Sequence, residues 1–438
     1  MAMNKHQPHD LVQMQSLPLE AKERMSTERI RVWFESWKKY TICNSKTKKI
    51  RFVTHTEEPN QTGCFKKKIR KINGENHEVD VLVKGTKLKQ TEYIDSVEDG
   101  QVYVSFSGGI DSTVLADICA RFCKKYGYTL YLLFVNTGLE YPEIQRFVKE
   151  FAEWLRNTYN INVHLEIVRP EMRFDDVLKT YGYPVISKEV SNTISGAKNS
   201  IRKGVYSHRL CKLGVNREEY GGLADSGEFD YDSTLDGSKF KQTKWRFLLD
   251  AYFDSSAICC DVMKKSPAAR YEKISGRKPI LGTMAEESAN RENAWRKHGC
   301  NAFGASKPKS TPIAFWRKQD IFHYIKKYEV PTCSVYGEIV PDCGEEDEEE
   351  QISIFEILGD YKDISLKTTG CDRTGCIFCM FGCHLEKEPN RFQSLKETHP
   401  RQYEYCINGG EMVDGKWQPS KEGLGLAKVL DYIGVKYE

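Results

Sequence analysis

The chain has 438 residues, with 65 Lys and Arg against 62 Asp and Glu, a formal net charge of +3 and 39% hydrophobic residues. That length supports more than one hydrophobic core and predicts two or three domains. The near-balanced charge makes no bulk demand for a nucleic-acid partner, and no apolar run approaches the roughly 18 residues of a membrane span.

The N-terminal stretch MAMNKHQPHDLVQMQSLPLEAKERM has no apolar signal core, so the chain reads as cytoplasmic with no membrane partner. Within residues 15–40, Leu19, Met25, Ile30, Val32, Trp33 and Trp37 recur among charges at helical spacing, which predicts an N-terminal helical segment over 1–40. From 41 to 98 the pattern changes. IRFVTHT and HEVDVLVKG alternate as strands do, and ING at 72–74 signals a hairpin turn. This predicts a small β-rich insert, basic by 12 Lys and Arg to 8 acids. Its FKKKIRK run at 65–71 is either a solvated face or a grip on nucleic-acid phosphates.

From about 99 to 330, strands and helices alternate. QVYVSFS is a strand, IDSTVLADICARFCKKYG a helix ending at Gly127, and YTLYLLFVNTG a buried strand. PEIQRFVKEFAEWLRNTY follows as a helix opened by Pro142, then INVHLEIVRP and RKPILGTM as strands, and FWRKQDIFHYIKKY as a helix. The alternation predicts an α/β fold with a doubly wound, mostly parallel sheet. Residues 331–438 are loop-rich and cysteine-rich, with an acidic run GEEDEEEQ at 344–351 that reads as a surface loop.

SFSGGIDST at 105–113 sits between the first strand and its helix, where an open parallel sheet binds ligands. A helix N-terminus offers N–H donors and a positive dipole end, and glycines let that backbone approach a phosphate. Ser107, Ser112 and Thr113 add hydroxyls, and Asp111 is placed to brace the loop or bind Mg²⁺. The lysine of GxxxxGK[ST] is missing, so this is not the common P-loop.

Fifteen cysteines are many for a reducing compartment and point to metal or redox chemistry. Cys119, Cys123 and Cys300 fall in apolar stretches and read as core. TTGCDRTGCIFCMFGCHLE instead places Cys371, Cys376, Cys379 and Cys383 in a C-x4-C-x2-C-x3-C spacing. Four such thiolates can ligate one tetrahedral metal, zinc included, or a [4Fe–4S] cluster.

SGGIDST resembles the SGGxDS loop of the PP-loop ATP pyrophosphatase (adenine nucleotide alpha hydrolase) superfamily. The resemblance implies that Ser107, Gly108, Gly109, Asp111, Ser112 and Thr113 hold the nucleotide's phosphates. FVNTGLEYPE at 134–143 is similar to the superfamily's second nucleotide segment, which implies Asn136, Thr137 and Gly138 near the adenosine. ICCDVMKKSPAARYEKISGRKPILGTMAEES at 258–288 and PIAFWRKQDIFHYI at 312–325 resemble phosphoadenosine and adenosine phosphosulfate (PAPS and APS) reductases, which implies Gly282 as a further nucleotide-binding candidate. In the APS branch a tandem CC and a distant CxxC hold one [4Fe–4S] cluster. Carried over, the ligands are Cys259, Cys260, Cys376 and Cys379, with Cys371 and Cys383 spare.

Two departures bear on the substrate. No cysteine follows Cys406, whereas the reductases carry a nucleophilic cysteine in their C-terminal tail. The reductases' paired arginines are replaced by Met284 and Ala285, followed by Glu286 and Glu287. Both changes favour ATP with Mg²⁺ over a sulfonucleotide, with Asp111, Ser112 and Glu286 as catalytic candidates. Glu286 and Glu287 also suit a helix N-terminus. Related PP-loop proteins with iron–sulfur clusters, among them the sulfur-activating proteins of DNA phosphorothioation, imply an enzyme of sulfurtransferase type. It would adenylate its substrate, release pyrophosphate and pass sulfur to nucleic acid, with a sulfur-donor protein such as a cysteine desulfurase as partner. The alternatives are a PAPS or APS reductase using an external thiol, and a non-catalytic nucleotide-sensing subunit of a complex. Lys188, Lys212, Arg291, Arg296, His384, Arg391 and His399 are further possible contacts, while Trp316 reads as core.

Overall fold

The computed structural model describes residues 6–225, 241–342 and 364–438. The acidic run at 344–351 lies outside them. The chain divides into two compact units. The first comprises Met1–Asn136, Tyr141–Val168 and Ala268–Thr374; the second comprises Thr137–Glu140, Arg169–Pro267 and Gly375–Glu438.

The first unit is built on a six-stranded sheet. Its spatial order is Asn301–Ala302, Lys309–Ser310, Lys278–Leu281, Val102–Ser105, Leu130–Val135 and Val163–Val168. All neighbours are parallel except the first pair, which is antiparallel. The α/β, mostly parallel reading therefore holds. From Val102–Ser105 the chain winds outward through Leu130–Val135 and Val163–Val168, then returns to the other side with Lys278–Leu281. The order reverses beside the central strand, and the glycine loop leaves that strand's carboxyl end, where doubly wound sheets bind ligands.

The helices follow from the sequence. Ile110–Tyr126 buries Val114, Leu115, Ile118, Cys119 and Phe122, and ends where Gly127 turns left-handed at φ 76°. Pro142–Tyr159 starts on proline and buries Ile144, Phe147, Val148, Phe151 and Leu155 at three- and four-residue steps. The N-terminal helix Leu19–Ser36 brings Ile30, Trp33 and Phe34 into the same core. Its Lys22, only 2% exposed, is neutralised by Asp320 at 2.7 Å. Trp316 is fully buried and donates its indole N–H to Ser26 Oγ at 2.9 Å, so it is core as expected. Asp117, also fully buried, accepts from Tyr159 (2.6 Å), Tyr324 (2.7 Å) and Arg121 (2.8 Å).

Also in this unit, Lys38–Asn44 pairs antiparallel with Ile50–His55 and Glu92–Glu98. Phe65–Ile72 and Glu75–Leu82 form a separate two-stranded hairpin. The turn expected at ING is present, with Asn73 and Gly74 both at positive φ, as a two-residue hairpin turn of this hand requires.

The second unit is mainly helical. Phe174–Tyr181 and Lys188–Arg202 lie outside the elements the sequence suggested; the latter is capped by Ser187 Oγ accepting from Val190 N–H. The backbone after the tandem cysteines takes one π turn, Asp261–Lys265. Arg391–Thr398, Pro400–Ile407 and Leu426–Tyr432 complete the helices near the C-terminus. Among the described residues no helix is long and apolar enough to cross a membrane.

Candidate functional site

The glycine loop is held from three sides within the first unit. Gly108 has φ +76°, and a Cβ there would lie 2.9 Å from Ile144 Cγ2 and 3.1 Å from Val148 Cγ2. Only glycine meets both the conformation and the close packing on the neighbouring helix. Ser112 Oγ donates to the Gly109 carbonyl (2.8 Å), accepts from Ser107 N–H (3.2 Å) and lies 3.0 Å from Ser107 Oγ. Thr113 Oγ1 also donates to Gly109 O, at 3.1 Å. The loop is thus braced by its own hydroxyls before any ligand arrives. Gly282 belongs to the same site by packing. A Cβ there would sit 3.0 Å from the Asp111 carbonyl, so the two strand-end loops approach backbone to backbone.

Two residues that no motif marks complete the loop. Tyr336, 2% exposed, accepts the Ile110 N–H at 3.3 Å and lies 2.6 Å from Thr374 Oγ1. Burial pushes its phenol up to about 12.

Asp111 is the electrostatic centre. Burial raises its carboxyl to about 6, while Arg373, Lys318 and Arg291 pull the other way and Glu286 adds to the rise. Three cations therefore surround the helix start even though Met284 and Ala285, buried in the core, occupy the positions of the reductases' paired arginines. Arg291 was expected from its spacing; Lys318 and Arg373 were not. Glu286 accepts the Lys318 N–H at 2.6 Å. Glu287 accepts the Met284 N–H at 3.0 Å and pairs with Arg291.

The segment after Leu130–Val135 is also structured. Asn136 donates its side-chain N–H to Gln145 Oε1 at 3.3 Å in the first unit. In the second, Thr137 is bound through its N–H (3.0 Å) and its hydroxyl (2.7 Å) to Glu140, and Gly138 is left-handed at φ +77°. This turn presents backbone rather than an open hydroxyl.

The cysteines sort themselves. Cys259, Cys260, Cys376 and Cys379 line one cavity of the second unit, together with Leu139, Phe174, Pro184, Met263 and Lys264. Cys383 is buried and donates to the Met380 carbonyl at 3.0 Å; it is not among the lining residues. Cys371 belongs to the first unit, its Sγ 3.8 Å from Tyr141 OH. Arg391, paired with Glu386, donates to the Cys379 carbonyl at 2.8 Å and fixes the CxxC turn.

Charge inside the cavity is uneven. Burial drives Cys376 up to about 11 and Cys379 upward too. Cys259 is raised by its hydrogen bond with Cys260 and by burial. That same bond, helped by Lys188 and Lys264 and opposed by burial, lowers Cys260 below the ordinary thiol range. Burial works against the Lys264 ammonium, yet Cys376, Glu140 and Cys260 hold it above its ordinary range. Four thiols and an ammonium in an apolar pocket are a donor set that fits an anionic metal–thiolate centre. Lys212, the other lysine candidate, reaches Glu189 at 3.3 Å, and His384 stacks edge-on against Trp245.

The model of the phosphoadenosine phosphosulfate reductase domain family matches residues 101–209 and 231–380, more than half of the chain. No curated protein matches it.

Proposed function

Because the chain belongs to the phosphoadenosine phosphosulfate reductase domain family, a nucleotide-binding, sulfur-related enzyme family of the PP-loop adenine nucleotide alpha hydrolase-like superfamily, we propose that it acts on ATP as an adenylating sulfurtransferase. In this reading a substrate oxygen attacks the α-phosphorus. The bond from that phosphorus to the bridging oxygen breaks, and the electron pair leaves with pyrophosphate. The outer sulfur of a donor persulfide then attacks the adenylated carbon or phosphorus, the bond to the AMP oxygen breaks and AMP leaves, and a second thiol cleaves the resulting disulfide to free the sulfur on the acceptor. The acceptor is nucleic acid, and a protein donor of the cysteine desulfurase kind supplies the sulfur.

The observation that carries the reading is the surroundings of Asp111. A buried carboxyl among Arg291, Lys318 and Arg373, at a helix start, suits a triphosphate with Mg²⁺. Asp111 would hold the cation, and Ser107, Ser112 and Thr113 would orient the phosphates. The three cations would offset charge on the leaving pyrophosphate.

Cys259, Cys260, Cys376 and Cys379 would hold a [4Fe–4S] cluster, and zinc is the other metal that four thiolates accept. When bound, such a cluster supplies a thiolate-anchored iron centre able to carry sulfur or electrons. Lys264 and Lys188 offset the negative charge of the thiolates, and Arg391 keeps the CxxC turn in register.

The same cavity also favours a second reading, reduction of PAPS or APS to sulfite by an external thiol. Anaerobically purified protein incubated with nucleic acid and a dithiol, together with ATP, PAPS or APS, separates the two. Pyrophosphate release from ATP that Asp111→Asn abolishes supports adenylation. Sulfite release from PAPS or APS without pyrophosphate overturns it in favour of reduction, and neither product would leave a nucleotide-sensing role.

A further inference from the structure

The segment HTEEPNQTGC, His55 to Cys64, joins the three-stranded sheet to the basic hairpin. A donor atom of each of His55, Glu57 and Cys64 lies within 4.8 Å of the other two. Cys64 is buried, His55 half-buried and Glu57 exposed, so the group opens to solvent on one side. We propose that His55, Glu57 and Cys64 bind one divalent ion of the zinc class, with solvent completing its shell, and that this ion staples the base of the Phe65–Leu82 hairpin to the sheet.

The ligand chemistry selects the ion. An imidazole nitrogen, a carboxylate oxygen and a thiolate sulfur are what zinc takes, whereas magnesium and calcium want oxygen alone. The ligands are also positioned in advance. The Cys64 N–H donates to Thr86 Oγ1 at 2.8 Å, and its carbonyl accepts from Val83 N–H at 2.7 Å. Thr86 is fully buried and fixes itself by donating to the Val83 carbonyl at 2.8 Å. The turn before Cys64 is set by Asn60 Oδ1, which accepts from Thr62 N–H (3.0 Å) and Gly63 N–H (2.7 Å). The His55 ring rests with Nδ1 3.0 Å from the Glu57 N–H and 3.3 Å from the Glu57 carbonyl. Support of this kind orients metal ligands. Cys64 Sγ now lies 3.5 Å from the Glu58 carbonyl; on binding metal it gives up that contact and releases its proton to solvent.

The hairpin needs such a staple. Among the described residues it pairs with no third strand, and Phe65, Ile69 and Leu82 on it are 46%, 67% and 42% exposed. A lone two-stranded hairpin is at best marginally stable in water. A metal at its base closes the two ends where Cys64 and Val83 meet.

The test uses full-length protein stripped by chelator and titrated anaerobically with Co²⁺, then with Zn²⁺ in competition. In the Cys376→Ser background, where the four-cysteine cavity no longer takes metal, a thiolate-to-cobalt charge-transfer band should remain that Cys64→Ser and His55→Ala remove, along with one metal equivalent. Glu57→Gln should weaken binding by about tenfold or more. Metal should also slow tryptic cleavage after Lys66–Lys71 several-fold. Should Cys64→Ser fail to fold, the His55 and Glu57 variants carry the same reading. Unchanged stoichiometry and affinity in both of those would overturn the site, and metal-independent cleavage would overturn the staple.

Discussion

Tyr336 places its phenol oxygen 3.3 Å from the Ile110 N–H, so a residue more than two hundred positions away holds the first turn of the glycine-loop helix. Tyr336→Phe leaves that buried N–H without its partner. An unsatisfied buried donor costs about 1–3 kcal/mol. We expect a lower thermal midpoint, and hydrogen exchange should show the first turn of Ile110–Tyr126 opening sooner. An unchanged exchange pattern would show the contact to be incidental.

Gly108 and Gly109 should respond differently to alanine. At Gly108 the left-handed conformation costs roughly 1–2 kcal/mol for an L-residue, and the Cβ meets Ile144 at 2.9 Å. At Gly109, φ is −77° and the nearest contacts are 3.3 Å. Thermal unfolding of the two variants checks this: Gly108→Ala should fall well below Gly109→Ala, and equal losses would contradict the packing.

The raised Asp111 carboxyl makes a pH prediction. Its folded value, about 6, exceeds the ordinary 3.8, so the stability it confers is fully present below about pH 4 and is lost as pH rises to 6. Above 6 the buried charge is a constant burden of at most about 3 kcal/mol. Asp111→Asn should therefore melt higher than wild type at pH 7.5, and the gap should close near pH 4. If Asp111 carries Mg²⁺, nucleotide affinity should fall below pH 6 in wild type and not in the variant. Calorimetry across pH 4–8 reads both.

Serine at Cys259, Cys260, Cys376 or Cys379 should remove the cavity's metal, leaving only zinc held by His55, Glu57 and Cys64, while Cys371→Ser and Cys383→Ser should retain the cavity's metal. Iron, sulfide and zinc analysis after anaerobic purification decides. Retention in Cys259→Ser and Cys260→Ser together with loss in Cys371→Ser and Cys383→Ser would restore the C-x4-C-x2-C-x3-C set in place of the cavity.

Asp117→Ala strips the partner from two buried tyrosine hydroxyls and from Arg121. The expected loss is about 3–5 kcal/mol, read by denaturant unfolding. A loss below about 1 kcal/mol would mean the tyrosines find other partners.

What the sequence disclosed tracks how local each signal is. The glycine loop and its flanking strand and helix were legible because apolar runs, Pro142 and Gly127 punctuate the chain within a few residues. Lys318, Tyr336, Arg373 and Thr374 were not, since nothing near them in sequence records that they converge on residues 107–112. The six cysteine candidates show the same limit. Spacing proposed one set, the family resemblance another, and only the lining of a cavity separates Cys259, Cys260, Cys376 and Cys379 from Cys371 and Cys383. The helix Lys188–Arg202 went unread for a different reason: Ser, Asn and Gly interrupt it, and tertiary packing overrides their weak propensity.

The winding of the sheet also sets a schedule for biosynthesis. Val102–Ser105 gains its partner on one flank within a few dozen residues, but its other flank waits for Lys278–Leu281. At about 5–20 residues per second, a ribosome leaves that flank unfilled for roughly 10–35 s. During this interval a strand that is buried in the finished protein is an open edge, able to pair with any strand it meets. The nascent chain, rather than the mature enzyme, is where this fold is most exposed to error.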